Sequence, residues 1–556
     1  MLAHARALLA WAPLPGGVIA LVGPTGVLHQ GAFGSADLER GLPMTTDHVF
    51  QIGSISKVFT ALTITELASR GLLSLDEPIT DLLPWLTLGP DAARPTVREL
   101  LSHMGGLVMG ADFPPDDLAQ AWRLRDAVVA PHPTRFHYSN VGFMLLGLGA
   151  SARARRPWPE LVREVLLEPL GMTRSVASVT EADRAALAVG YAPAREDRPW
   201  APGDALAPAA WPETRSADGN VAAPARDLAQ LARLLLGDGP VSGPVSGSVD
   251  GRRVVAPEVL EQVTTPTAVG GEPTPSYGPL PLPTESTYGL GINVERVDGH
   301  ALLTHGGGMV GFSTFLLVDR TAGFGVVVMT NANGDNLHAQ LLARAAHADL
   351  VARLDGRSEV DLPETDPRVR VGDLSAEALA ALGAPAAPAG DVVHVGLGGQ
   401  TGVLCRMLTG RYVTDHPALR TFHLDPLPDG SGWTHGAVTL RPGGAELGGR
   451  PDGRSVDLDP SWAPLVGHYR SYSPWFPHLR VLARDGRLLL VAPGGVEAPS
   501  EEEDLVEVGR GPLGSGELRV GADPWLPSRL VVGPVVDGHA VSVELDGCLY
   551  SRTFTP

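Results

Sequence analysis

A chain of 556 residues, 44% of them hydrophobic, buries enough apolar surface for two or three globular domains and is no disordered tail. Its 43 basic and 62 acidic side chains leave a formal net charge of −19, which repels phosphate backbones and anionic membrane surfaces and so argues against nucleic acid as a partner. The two cysteines, Cys405 and Cys548, lie far apart and support neither a disulfide framework nor a four-ligand zinc site.

The elements follow in chain order. Leu2 to Trp11 reads as an amphipathic helix. Without a basic start, a long apolar run or a small-residue cleavage site, it does not resemble an export signal, so a cytoplasmic location is expected, with export open were the true start upstream. Apolar strands are predicted at Gly17 to Val22 and Val27 to Phe33, before a helix from Ser54 to Arg70 that Gly71 stops. Helical spacing recurs at Thr96 to Ser102, Val141 to Ala152, Trp158 to Leu167 and Ala225 to Leu236. From Gly237 to Ser286 glycine, proline and serine dominate, predicting a loop or insertion with one short helix around Pro257 to Val263.

Strands then resume at Tyr288 to Val297, turn at Asp298-Gly299 and continue through Ala301 to His305. Ser313 to Val318 and Gly325 to Thr330 complete a meander, closed by a helix from Leu337 to Leu354. Strands at both ends with helices between predict an α/β sheet assembled from both ends, carrying an inserted helical subdomain. After Gly356 the character changes to short β-like runs. This sets a catalytic domain at 1–355, a linker and β-rich segment at 356–460, and an all-β region at 461–556 with hairpins at Asp485-Gly486 and Asp537-Gly538. No uninterrupted apolar run is long enough for a membrane span.

Lys57 is the only lysine among the 43 basic residues. Genome base composition accounts for a preference for arginine, and at a solvated surface the two serve alike. Where a proton must move they differ, because a guanidinium stays protonated while an amine can be neutral when its surroundings lower its pKa. Ser54-Ile55-Ser56-Lys57 puts a hydroxyl and an amine three residues apart at a helix start, on one face within a turn. A neutral lysine there can take the serine proton and make Ser54 a nucleophile, while the helix N-terminus favours developing oxyanion charge.

Two further elements supply partners. Tyr138-Ser139-Asn140 offers a candidate acid/base and an amide able to orient the lysine or hold a substrate carbonyl; the same residues also read as a packed tyrosine with Asn140 capping a helix. His305-Gly306-Gly307-Gly308 ends a strand whose glycines admit close approach, and an N–H near Gly308 could complete an oxyanion hole with that of Ser54.

In this order the three elements resemble those of the serine hydrolases of the β-lactamase and penicillin-binding-protein superfamily, class C-like members above all. Phe50-Gln51-Ile52-Gly53, the stretch Thr96 to His103, Glu168-Pro169-Leu170-Gly171-Met172 and Gly311-Phe312-Ser313 look familial too, so the likeness covers roughly residues 10–350. It implies a β-lactamase-like antiparallel sheet flanked by helices, with Ser54 acylated, Lys57 and Tyr138 moving protons, and Asn140, His305, Gly307 and Gly308 binding substrate. A lysine usually heads the glycine motif in β-lactamases and cell-wall carboxypeptidases. His305 in its place resembles instead the esterases and D-aminopeptidases of the superfamily, several of which carry a C-terminal β-barrel, and the tail here is accordingly expected to be barrel- or lipocalin-like.

The expected substrate is a small ester, amide or short peptide, and neither cofactor nor metal is implied. Alternatives are a D-amino-acid peptidase or carboxypeptidase, a weak β-lactamase, or a non-catalytic acylatable sensor. Val392 to Gly402 offers a glycine loop without a following helix, so a dinucleotide site is set aside. No His-Glu-x-x-His occurs, His132 and His137 do not share a helical face, and His103 reads as a turn former. No serine lies in a Gly-x-Ser-x-Gly elbow.

Overall fold

The computed structural model describes every residue except 90–93, 111–116, 126–134, 238–245, 333–336, 358–359, 385–387, 389, 443, 447–458, 493–500, 511–515 and 553–556. His132 and part of the proline- and glycine-rich insertion therefore lie outside the described residues. The chain divides into two compact units. One comprises Met1–Leu9, Leu14–Ala192 and Pro208–Pro363; the other comprises Ala10–Pro13, Pro193–Ala207 and Glu364–Pro556.

The first unit is built on an 8-stranded antiparallel sheet in the order Glu285–Tyr288, Asn293–Val297, His300–Met309, Phe312–Asp319, Phe324–Thr330, Gly16–Gly23, Gly26–Asp37, Leu42–Pro43. The N-terminal strands thus join the C-terminal meander through Gly17 opposite Thr330 and Ile19 opposite Val328. Every residue of Phe312–Asp319 and Phe324–Thr330 is buried, which explains their unbroken apolar runs: both faces are covered, and the helices Ala225–Leu236 and Leu337–Leu354 pack on these strands. Asp298-Gly299 turns the hairpin with φ of +48° and +84°, the left-handed pair a two-residue turn requires.

Some elements are shorter or more broken than their composition predicts. The run from Tyr288 to Val297 is two strands, Glu285–Tyr288 and Asn293–Val297, paired through Tyr288 and Asn293. Between them Gly291 adopts φ +70° against the helix Ser56–Ser69, where a methyl group would stand 2.6 Å from the Lys57 carbonyl oxygen. The strand expected to end at His305 runs on through its glycines to Met309, and the helix from Trp158 ends at Val162 and continues as a π-helical turn, Arg163–Leu167.

The second unit holds a 7-stranded antiparallel sheet from His394–Leu397 to Gly444–Glu446, then a closed barrel of eight strands from Gly467–Arg470 to Cys548–Arg552. In the sheet, Gly398 and Gly399 at φ +58° and +77° form the tip of a hairpin, so the glycine loop considered above is a β-turn. The barrel closes through Tyr469 opposite Arg552 and Arg470 opposite Ser551. Alternate residues such as Leu479, Val481 and Ala483 join Tyr469, Leu518, Leu530 and Tyr550 in a buried cluster, so this barrel has a packed side-chain core. Val535–Val536 falls outside it, because Gly533-Pro534 interrupts the strand at a residue with no N–H to donate.

Candidate active site

The turn that carries Ser54 is made by close approach. Phe50–Gln51 pairs with Ala222–Ala223, and Gly53 then turns the chain at φ +50°. A methyl on Gly53 would stand 2.3 Å from the Gly308 carbonyl oxygen, so the backbone ahead of Ser54 touches the backbone of the glycine strand and only glycine fits. Gly307 serves the same approach: a methyl there would meet the Ile52 carbonyl oxygen at 2.0 Å, and Thr314 donates its hydroxyl to that oxygen at 3.0 Å. Gly307 therefore makes room for the protein's own turn.

A 3₁₀ turn, Gly53–Ile55, leads into the helix Ser56–Ser69, setting Ser54 one turn ahead of Lys57. The serine is 7% exposed and the lysine fully buried. Lys57 Nζ lies 2.9 Å from Ser54 Oγ and donates to the Asp218 carbonyl at 3.0 Å. It stands 4.9 Å from the centre of the Tyr138 ring and 5.6 Å from that of Phe143. The stretch around Asp218 is pinned along the helix: Thr60 donates to the Ala217 carbonyl, and Ser56 Oγ accepts the Val221 N–H at 3.0 Å. Sequence offers no sign of the Asp218 contact, because a backbone carbonyl has no residue signature.

At the second element the helix cap is Ser139, not Asn140. Ser139 Oγ accepts the Gly142 N–H at 3.1 Å and donates to the Val108 carbonyl at 2.7 Å. Asn140 is the first helical residue, fully buried, with its N–H on the Met109 carbonyl. His103, in a turn at φ +57°, holds this loop twice: its carbonyl accepts the His137 N–H at 2.9 Å and its Nδ1 accepts the Ser139 N–H at 3.0 Å. Its ring centre lies 4.2 Å from that of Tyr138 and 5.0 Å from that of Tyr288. With Nδ1 accepting, the ring proton resides on Nε2. Burial keeps His103 well below the usual histidine range, so the ring stays neutral.

His305 stands opposite Leu316 in the sheet and is 1% exposed. Its Nδ1 lies 2.6 Å from the Gly306 carbonyl oxygen and so carries the proton, which leaves Nε2 to accept from the Tyr288 hydroxyl at 2.9 Å. Burial pushes His305 down to about 3, against the hydrogen bond to Gly306. Tyr288, buried and facing Glu272, is held well above the usual tyrosine range. His305 is thus a neutral ring with both nitrogens bonded inside the protein. The structure brings Ser54, Lys57 and Tyr138 together and sets Gly307 and Gly308 against the turn that carries Ser54. His103 and Tyr288 join them as residues that sequence reasoning did not assign to the site.

The model of the family described as Beta-lactamase matches residues 3–350, and the chain belongs to that family. It has the β-lactamase-like fold with a separate all-β C-terminal region. Over 256 residues, 44% of this chain and 63% of the relative, it is 31% identical to "Penicillin-binding protein 4" of Amycolatopsis lactamdurans. A shorter stretch of 95 residues, 16% of this chain and 24% of the relative, is 39% identical to "Esterase EstB" of Burkholderia gladioli. The chain thus spans less than two thirds of the length of these curated relatives. Among solved structures, the octameric penicillin-binding protein homologue from Pyrococcus abyssi is similar over 97% of this chain and 96% of its own, with a TM-score of 0.51 and 19% identity, a likeness of fold. Among the described residues no helix is long and apolar enough to cross a membrane.

Proposed function

We propose that this protein is a serine hydrolase that cleaves a small ester or amide through an acyl-enzyme on Ser54. The observation that carries this reading is the 2.9 Å contact between Ser54 Oγ and Lys57 Nζ, made by a fully buried lysine that the Asp218 carbonyl aims. With its amine neutral, Lys57 takes the Ser54 proton along that contact as Oγ bonds to the substrate carbonyl carbon. The backbone N–H groups of Ser54 and Gly308 receive the oxyanion. Lys57 and Tyr138 return the proton to the leaving oxygen or nitrogen as its bond to carbon breaks; water then attacks the acyl carbon, and its proton passes by way of Lys57 to Ser54 Oγ as the acyl bond breaks. Asn140 serves as ligand for the substrate amide or carbonyl.

The neutral state of His305 favours substrates without a free carboxylate beside the scissile bond, because that position lacks the fixed cation a carboxypeptidase would use. The test is intact mass after treatment with a serine-directed phosphonate. One adduct, mapped to Ser54 and absent from Ser54→Ala, is expected, together with steady turnover of a nitrophenyl ester. An unmodified Ser54 in folded protein overturns the reading, and a burst without turnover identifies an acylatable sensor instead.

A further inference from the structure

Outside the active site, the first unit gathers two imidazoles and a carboxylate. His300 opens the strand His300–Met309, Asp319 closes the neighbouring strand Phe312–Asp319, and His347 lies on the helix Leu337–Leu354. Their ligand atoms all lie within 4.8 Å of one another. Asp319 is fixed before any ion is considered. Its Oδ1 accepts the Thr321 and Ala322 N–H groups at 2.8 and 2.9 Å, and its Oδ2 faces both rings, 2.7 Å from His300 Nδ1 and 2.9 Å from His347 Nε2. The carboxylate is fully buried, His347 nearly so, and the His300 side chain is 18% exposed, which leaves a route inward from solvent. The two rings stand edge to face at 87°, with the Phe324 ring beside His347 as an apolar wall.

We infer that His300, Asp319 and His347 bind a divalent transition-metal ion, Zn²⁺ being the reference ion, through Nδ1, a carboxylate oxygen and Nε2. Bonds of about 2.0–2.1 Å around a tetrahedral ion space its ligands by roughly 3.3 Å, so each Oδ2 contact opens by under an ångström while the two ring nitrogens, now within 4.8 Å of each other, draw together. Two imidazole nitrogens with one carboxylate suit zinc and the late first-row metals and disfavour magnesium and calcium, which take oxygen ligands. Binding requires each histidine to turn its lone pair toward the ion, so the proton now directed at Oδ2 moves to the other ring nitrogen or to water. A fourth position, beside His300, is left for water. The ion would clamp a sheet strand pair to the helix behind it, which makes it a stabilising site.

The test uses the full chain, stripped with a chelator and titrated with Co²⁺, whose visible absorption reports coordination number. Wild type is expected to take up one equivalent with the bands of a four- or five-coordinate ion and to melt at higher temperature with Zn²⁺ than without. His300→Ala and His347→Ala should each weaken uptake at least about tenfold and abolish the zinc-dependent rise in melting temperature. Because His300 is partly exposed at a strand start, its variant is the one expected to keep the fold, verified by circular dichroism. Wild-type protein that binds no stoichiometric ion, or variants that bind it as tightly as wild type, overturn the proposal and leave a purely hydrogen-bonded His-Asp-His clamp.

Discussion

Lys57 Nζ lies about 3 Å from Ser54 Oγ and from the Asp218 carbonyl while buried in apolar and aromatic surroundings, a geometry that arginine could imitate in charge but not in proton transfer. Lys57→Arg is therefore expected to fold and to lose at least a hundredfold in the rate of Ser54 phosphonylation, the order that a general base contributes. Measured by mass against time, a variant within tenfold of wild type would make the lone lysine an accident of composition. The serine and lysine were legible in the sequence because three-residue spacing at a helix start has one geometric outcome. His103 was legible only as a turn former. Its hold on the Tyr138 loop joins residues thirty-six apart, which no local pattern reports. His103→Phe keeps a ring against Tyr138 but strands the buried Ser139 N–H. A stability loss of about 1–3 kcal/mol by denaturant melt is expected, with the pH profile of acylation between 5 and 8 keeping its midpoint. A midpoint that moves would mean that His103 itself exchanges protons during the reaction.

At the scale of elements, periodicity and turn chemistry located most helices and strands, and the errors share a cause. Tyr288 to Val297 reads as one apolar run, yet it is a hairpin because the helix bearing Lys57 occupies the space at Gly291, a tertiary contact invisible in the run itself. A second contact of this kind joins the strand Asn293–Val297 to the helix Leu337–Leu354. Arg344 Nη2 meets both carboxylate oxygens of Glu295 at 3.0 and 2.9 Å with both side chains buried, and Thr304 donates to the same carboxylate at 2.8 Å. Arg344→Met alone leaves a buried carboxylate without its cation and should cost about 3–5 kcal/mol. Adding Glu295→Leu should restore most of it, since the pair's desolvation penalty goes with it. Equilibrium unfolding of both variants checks this, and a double variant no more stable than Arg344→Met would assign the loss to packing.

At the scale of the whole molecule, buried neutral histidines tie stability to pH. Burial pushes His305 and His423 down to about 3, and His137 and His435 to about 4, whereas in the unfolded chain each titrates near 6.5. Above about 6.5 neither state takes up these protons and stability is undiminished. As pH falls from there toward 4, only the unfolded chain binds them, so stability declines across that window. The urea midpoint should accordingly be lower at pH 5 than at pH 7.5; equal midpoints would mean that these rings can be protonated in place.

The division of the chain sets a further condition on any dissection. A change in character near residue 355 was visible where helical patterns end. The short segment 193–207 gave no sign that it belongs to the second unit, because its proline, alanine and aspartate read as an ordinary loop. There Ala201 is buried with Cys405 and Val413 and Asp204 accepts from Arg420 at 3.0 Å; in the other such segment, Ala10–Pro13, the centre of the Trp11 ring lies 4.7 Å from the Arg368 guanidinium. A chain ending at Pro363 would keep these two excursions without the residues that cover them. It is expected to aggregate, or to be cleaved by protease within 193–207 while the full chain resists. A monomeric, protease-resistant 1–363 fragment phosphonylated at the full-length rate would show that the first unit folds and works without the second.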